Sequence, residues 1–162
     1  MATASPGPPT PAERRARRNR AARIARQVGF LGSVEYRHVY SQSGGAQYGR
    51  GNTPEADLLT VYAEAFERDA DPEDFSVEAM IAHECGHQIL ARHPRIAKRV
   101  AGISEASEEI LASLLGAMIC NADADRVTLF AKATAELLDR GQSAESANRQ
   151  LQNLWDLLET LL

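Results

Sequence analysis

Cysteine is scarce in this chain: Cys85 and Cys120 are the only two, which excludes a disulfide framework and points to a reducing compartment. Long hydrophobic runs are missing as well. The longest apolar stretch, from Ile110 to Cys120, is too short to cross a bilayer, and the opening residues MATASPGPPTPAERRARR hold no apolar segment of the kind a secretory leader carries. A soluble, cytoplasmic protein is the expectation. Acidic residues are nearly absent from positions 1 to 30, where Glu13 stands against Arg14, Arg15, Arg17, Arg18, Arg20, Arg23 and Arg26. With a net charge of −4 for the whole chain, this segment is near +6 and the remainder near −10. What is present is ordinary: 162 residues, 44% hydrophobic and 25% charged, bury a real core in one domain.

The domain organisation expected is a disordered Pro-rich start and an Arg-rich helical arm over residues 1–30, followed by a catalytic-type domain over 31–162. Pro6, Pro8, Pro9 and Pro11 argue for disorder up to position 11. Residues 12–28, rich in Ala and Arg with Ile24 and Val28 four apart, read as a helix. Its arginines allow an anionic partner, such as nucleic acid, but no aromatic or base-reading residue accompanies them. A solvated helix, or one docked on the acidic body, is the simpler reading.

From Gly32 the pattern alternates: Val34, Tyr36, His38 and Tyr40 predict one face of a strand, with 46–50 as a return strand after the turn at Ser41–Gly45. His38 and Tyr40 share that face, either lining a cleft or packed within the sheet. Leu58 to Tyr62 supplies a further strand. Asp71-Pro72-Glu73-Asp74 and Ser76 are helix-start chemistry for a helix over residues 76–91, which Pro94 stops; 95–103 reads as a basic connector. Helices are then predicted over 105–120, 123–138 and 143–162. In the last, Leu151, Leu154, Trp155, Leu158 and Leu161 form an apolar stripe suited to a core or to a homo-oligomer contact. The fold class expected is α+β and helix-rich, with a small antiparallel sheet packed on the 76–91 helix and further helices after it.

That helix carries the chemistry. His83-Glu84-Cys85-Gly86-His87 places two imidazoles one helical turn apart on a single face, with Glu84 beside them. Two neutral imidazoles, a third protein ligand and an open position for water make a catalytic zinc centre, in which the adjacent glutamate takes the proton of that water. The apolar lead-in Met80-Ile81-Ala82 and exit Ile89-Leu90 describe a buried helix, where such polar groups are costly without a partner. Cys85 points away from the two histidines and reads as small core filler. Two positions compete for the third ligand. Glu109 lies on the 105–120 helix, whose Ala112 and Gly116 on the same face permit a close approach; His93 follows His83 by ten residues.

Ala82-His83-Glu84-Cys85-Gly86-His87 resembles the A-H-E-x-G-H segment of gluzincin peptidases of the ImmA/IrrE-like and HtpX-like groups, and Glu109-Ile110-Leu111-Ala112-Ser113 resembles their E-x-x-A-(N/D) segment. The resemblance covers residues 76–120 and implies a zincin-like fold, a peptidase activity, and His83, His87 and Glu109 as ligands of Zn2+. Ser113 departs from it, standing where those groups carry Asn or Asp to hold a ligating histidine. His93 matches instead the spacing of metzincins and SprT-like proteases. Leu90 occupies the position where the metzincin pattern needs glycine for a sharp turn, so the SprT-like reading is the surviving rival.

The function expected is a zinc-dependent metallopeptidase with Glu84 as general base and a protein or peptide as substrate, laid along an edge strand at Leu58–Tyr62. Tyr40, Tyr48 and His38 are the candidates for stabilising the oxyanion. The alternatives are a non-catalytic zinc-binding regulatory protein and a zinc-stapled structural domain, the latter wanting a fourth ligand that the sequence does not place nearby.

Overall fold

The computed structural model describes residues 7–41, 44–68, 75–101 and 106–162. The expected helix-start at Asp71–Asp74, the Pro-rich start before Gly7 and the acid at Glu105 lie outside the described residues. Helices dominate: α1 (Pro11–Gln27), α2 (Ala63–Arg68), α3 (Val77–Arg92), α4 (Pro94–Ala101), α5 (Glu108–Ile119), α6 (Asp123–Asp139) and α7 (Ala144–Leu161). Three short strands, β1 (Ser33–Arg37), β2 (Ala46–Gly49) and β3 (Leu58–Tyr62), complete a helix-rich α+β arrangement.

Hydroxyl caps set where α1, α3, α5 and α7 begin. Thr10 accepts from the Glu13 N–H at 3.0 Å, with Pro11 in the first turn; Ser76 accepts from Ala79 at 3.0 Å, Ser107 from Ile110 at 3.3 Å and Ser143 from Ser146 at 3.1 Å. Each cap satisfies an N–H that the helix itself leaves unpaired. Ser76 also donates to Asp125 at 2.7 Å, tying the starts of α3 and α6 together. The Ser107 cap sets the start of α5 at Glu108. The basic connector expected after Pro94 is instead the helix α4, because Ile96 and Val100, four apart, bury one face against α7 and α5.

The sheet is mixed, not antiparallel. Its order is β1-β3-β2, with β1 parallel to β3 and β2 antiparallel to it. The expected hairpin of adjacent strands does not form; Leu59 is opposite both Val34 and Tyr48. Composition explains the inversion: Leu58-Leu59-Thr60-Val61-Tyr62 is the most continuously apolar strand and takes the doubly covered central place. The more polar β1 and β2 form the edges. Leu58–Tyr62 is therefore no edge strand; of the two edges, β1 packs against α1 and β2 borders α3.

Two large apolar clusters sit on either side of α3. One joins Ile24 and Phe30 to Leu59, Val61, Ile81 and Cys85; the other gathers Leu90, Ile110 and Leu114 with Leu137, Leu151 and Leu158. The Arg-rich segment is consequently no free arm. Ala21, Ile24 and Ala25 are buried, Arg20 pairs with Glu78 at 3.0 Å, and Arg17 donates to the Tyr36 hydroxyl at 2.7 Å. The α7 stripe likewise goes into the core of its own chain, with Leu151, Leu154 and Leu158 at 1% exposure or less.

The contact between α3 and α5 is the closest in the molecule's centre. A Cβ added at Gly86 would meet the Ala112 carbonyl oxygen at 2.2 Å, and one at Gly116 would meet the Ala82 backbone at 2.9 Å. Two glycines and two alanines thus let the helix backbones touch. That contact brings the side chains of the next subsection together.

Candidate metal centre

His83 and His87 project from α3 toward the first turn of α5, and the glutamate waiting there is Glu109. His83 Nε2 lies 3.0 Å from Glu109 Oε2, His87 Nε2 lies 3.1 Å from Glu109 Oε1, and the two Nε2 atoms are 3.2 Å apart. The rings stand nearly perpendicular, with centroids 4.9 Å apart. Among the described residues this is the group of histidine, cysteine and acidic side chains whose ligand atoms converge tightly enough to hold a metal ion. A tetrahedral zinc ion has bonds of about 2.0–2.1 Å to such nitrogen and oxygen ligands, and one ligand atom from each of the three residues lies within 4.8 Å of the others.

Further groups orient the histidines. Ser113, buried on α5 one turn after Glu109, places its Oγ 3.0 Å from His83 Nδ1. When Nδ1 carries the proton and donates to that oxygen, Nε2 is left with a lone pair directed at the shared point. On His87, Nδ1 is 3.4 Å from Glu108 Oε2. Burial lowers the His83 pKa, which keeps the ring neutral and able to bind a cation. In the other tautomer, with the proton on Nε2, the hydrogen bond from His83 carries the Glu109 carboxyl down to about 2, against the upward push of its own burial.

Glu84 sits next to the cluster on the groove side. Its Oε2 accepts from the Tyr48 N–H of β2 at 3.0 Å. Burial, then the charge of Glu109, raises its pKa to about 7. A groove of about 640 Å³ runs past this point, walled by Gln47 and Tyr48 of β2 on one side and by His87, Leu90 and Glu108 on the other. A smaller cavity of about 160 Å³ opens on the His83 side, lined by Gly45, Met80, His83, Glu84, Glu109 and Lys132.

The remaining expectations resolve individually. Cys85 is buried among Ile81 and Leu59, away from the histidines, and burial raises its thiol pKa. His93 is exposed at the C-cap of α3, its N–H donating to Ile89, and it does not converge with the cluster. None of the three oxyanion candidates reaches the cluster. The Tyr48 hydroxyl donates to Asp57 at 2.7 Å, His38 bonds Tyr36 and the Gly7 carbonyl, and Tyr40 pairs with Glu67, whose hydrogen bond raises its pKa.

Two features escape the sequence. Lys132, on α6, lines the smaller cavity from an element read only as a helix. The other is a buried polar network under the groove. Asp57, with no exposed surface, accepts from Gly51 N–H at 2.7 Å, Gln88 Nε2 at 2.9 Å and Arg92 Nε at 3.1 Å, as well as from Tyr48 and the Arg92 terminal nitrogen. Gln88 and Arg92 lie four apart on α3, which is the one local signal of a shared polar face.

Comparison of the chain with protein-family models, with curated proteins and with solved structures found no match. The functional reading therefore rests on the arrangement of these side chains.

Proposed function

We propose that the chain is a zinc-dependent metallopeptidase of gluzincin type, with a zincin-like arrangement of β2, α3 and α5. The observation that carries the reading is the convergence of His83 Nε2, His87 Nε2 and the Glu109 carboxylate, with Glu84 beside them and open to the groove. Zinc held by these three residues would polarise a carbonyl and lower the pKa of a water molecule to about 7. Glu84 takes the proton of the attacking water and returns it to the leaving amine. The Tyr48 N–H fixes the carboxylate that performs this transfer, so the edge strand positions the base as well as the substrate.

A peptide lies along β2, whose outer edge faces the groove, and pairs with it through main-chain hydrogen bonds. Because those bonds are to backbone, they select an extended chain rather than a sequence. The free, buried Cys85 and Cys120 suit a reducing compartment, in keeping with a cytoplasmic location. No helix among the described residues is long and apolar enough to cross a membrane.

One set of variants tests the proposal. The wild type is expected to hold about one zinc per chain and to cleave peptides from a mixed-sequence fluorogenic library. His83→Ala and Glu109→Ala should lose the metal, His93→Ala should keep it, and Glu84→Gln should retain zinc while losing cleavage. Metal retained in both His83→Ala and Glu109→Ala refutes the site. Full cleavage by Glu84→Gln refutes the mechanism.

A further inference from the structure

The cluster is surrounded by carboxylates. Glu109 belongs to it, Glu84 and Glu108 border it, and negative charge developing on a substrate beside them is favoured by a compensating donor. The tyrosines and the histidine considered from the sequence are engaged elsewhere, so the donor must come from another element. Lys132 is placed for it. Its side chain leaves α6, crosses the Phe75 ring with the ammonium 5.1 Å from the ring centroid, and lines the same small cavity as His83, Glu84 and Glu109. Among the described residues it makes no ion pair, so its N–H donors are not held by a carboxylate. Arg50, the other basic residue lining these two cavities, is exposed. The charge of Lys132 reaches the cluster, acting on His83, Glu84 and Glu109 alike.

Resting on the peptidase reading, we propose that Lys132 is a further catalytic residue, whose ammonium donates a hydrogen bond to the scissile carbonyl oxygen as that oxygen becomes an anion. The step balances without any additional reactant. The water oxygen adds to the carbonyl carbon, the C=O π pair moves onto the oxygen, and the displaced proton goes to Glu84. The C–N bond then breaks with its electron pair going to nitrogen, nitrogen takes the proton from Glu84, and C=O re-forms. Lys132 exchanges no proton in either step. A cation beside Glu84 and Glu109 favours the tetrahedral anion over the neutral peptide, which is the difference that raises kcat.

The test uses the zinc-loaded full chain, a fluorogenic peptide cleaved by the wild type, and a peptide phosphonamidate as a stable mimic of the tetrahedral anion. Lys132→Met should reduce kcat by about 10²–10³-fold, with KM changed by less than about threefold and zinc content unchanged. Phosphonamidate binding, measured by calorimetry, should weaken by at least about tenfold in the same variant. Binding of a neutral substrate-like amide should not change, and Lys132→Arg should recover much of both losses. Wild-type kcat in Lys132→Met beside an inactive Glu84→Gln overturns the role of Lys132 and leaves the peptidase reading standing. A fall in kcat with unchanged phosphonamidate affinity also overturns it, since that marks a structural effect. A wild type that neither cleaves peptides nor binds the phosphonamidate removes the peptidase reading, and this proposal with it.

Discussion

At the scale of single residues, Ser113 holds the ring of His83, a ligand in the proposed zinc site. His83 is almost fully buried, so its Nδ1 has one neighbour to satisfy it, and the Ser113 hydroxyl at 3.0 Å is that neighbour. Ser113→Ala leaves the ring free to rotate and its second nitrogen without a partner. Zinc affinity should then fall by roughly 10–100-fold, measured by competition with a chromophoric chelator, while the helical circular dichroism stays unchanged. An unaltered affinity would mean that packing alone orients His83. The pairing was partly legible in the sequence: the E-x-x-x-S spacing puts Ser113 one turn after Glu109, on the same face. What the spacing left open was whether a hydroxyl stands close enough to replace an amide or carboxylate.

Among the elements, the α3–α5 contact decides whether the cluster exists. Glu109 and the two histidines come within 3.2 Å of one another because the helix backbones touch at Gly86 against Ala112 and at Gly116 against Ala82. Gly86→Ala drives a Cβ to 2.2 Å from the Ala112 oxygen, and backbone cannot step aside as a side-chain tip does. The helices must move apart. The expected outcome is a loss of about 1–3 kcal/mol in unfolding free energy by urea titration, as for other overpacked cores. Zinc binding should weaken as well, because Glu109 is carried away from His83. Wild-type stability in Gly86→Ala would show that the helices do not approach this closely. Here the sequence was informative, since small residues at Ala112 and Gly116 beside Glu109 announce a close helix pair. The strands were less so. Polar–apolar alternation gives a strand's faces but not its neighbours, and β3 took the centre of the sheet because it was the strand best able to lose water on both sides.

For the whole molecule, the Asp57 network joins parts that are distant in the chain. It ties the loop at Gly51, the strand β2 through Tyr48, and the end of α3 through Gln88 and Arg92. Burial alone would raise the Asp57 pKa, but the hydrogen bonds from Arg92, Gln88, the Gly51 N–H and Tyr48 outweigh it and hold the carboxyl far below its ordinary value. A carboxyl with a depressed folded pKa contributes stability that is fully present above its unfolded value of about 4 and is lost as pH falls toward the folded pKa. Thermal stability should therefore decline below about pH 4. Asp57→Asn should lower the midpoint at neutral pH by roughly 5–10 °C and remove this group's share of the acid dependence. Calorimetry of both proteins between neutral and acid pH checks it; equal midpoints at neutral pH would show that the network is dispensable.

His83, Glu84 and His87 were legible from the sequence because one helical turn relates them, and local periodicity needs no knowledge of the rest of the chain. The same holds for the start of α3, marked by the Ser76 hydroxyl, and for the small residues that prepare the α3–α5 contact. Which side chain would complete the cluster, Glu109 or His93, depended on how the chain folds back after Pro94, and packing placed Glu109 there while leaving His93 in solvent. The order of the strands, the edge that borders the groove, the salt link of Asp57 to Arg92 and the arrival of Lys132 from α6 were likewise decided by tertiary structure. Each joins residues far apart in sequence, where burial of apolar surface and pairing of buried charge act on the whole chain at once and leave no local pattern to read.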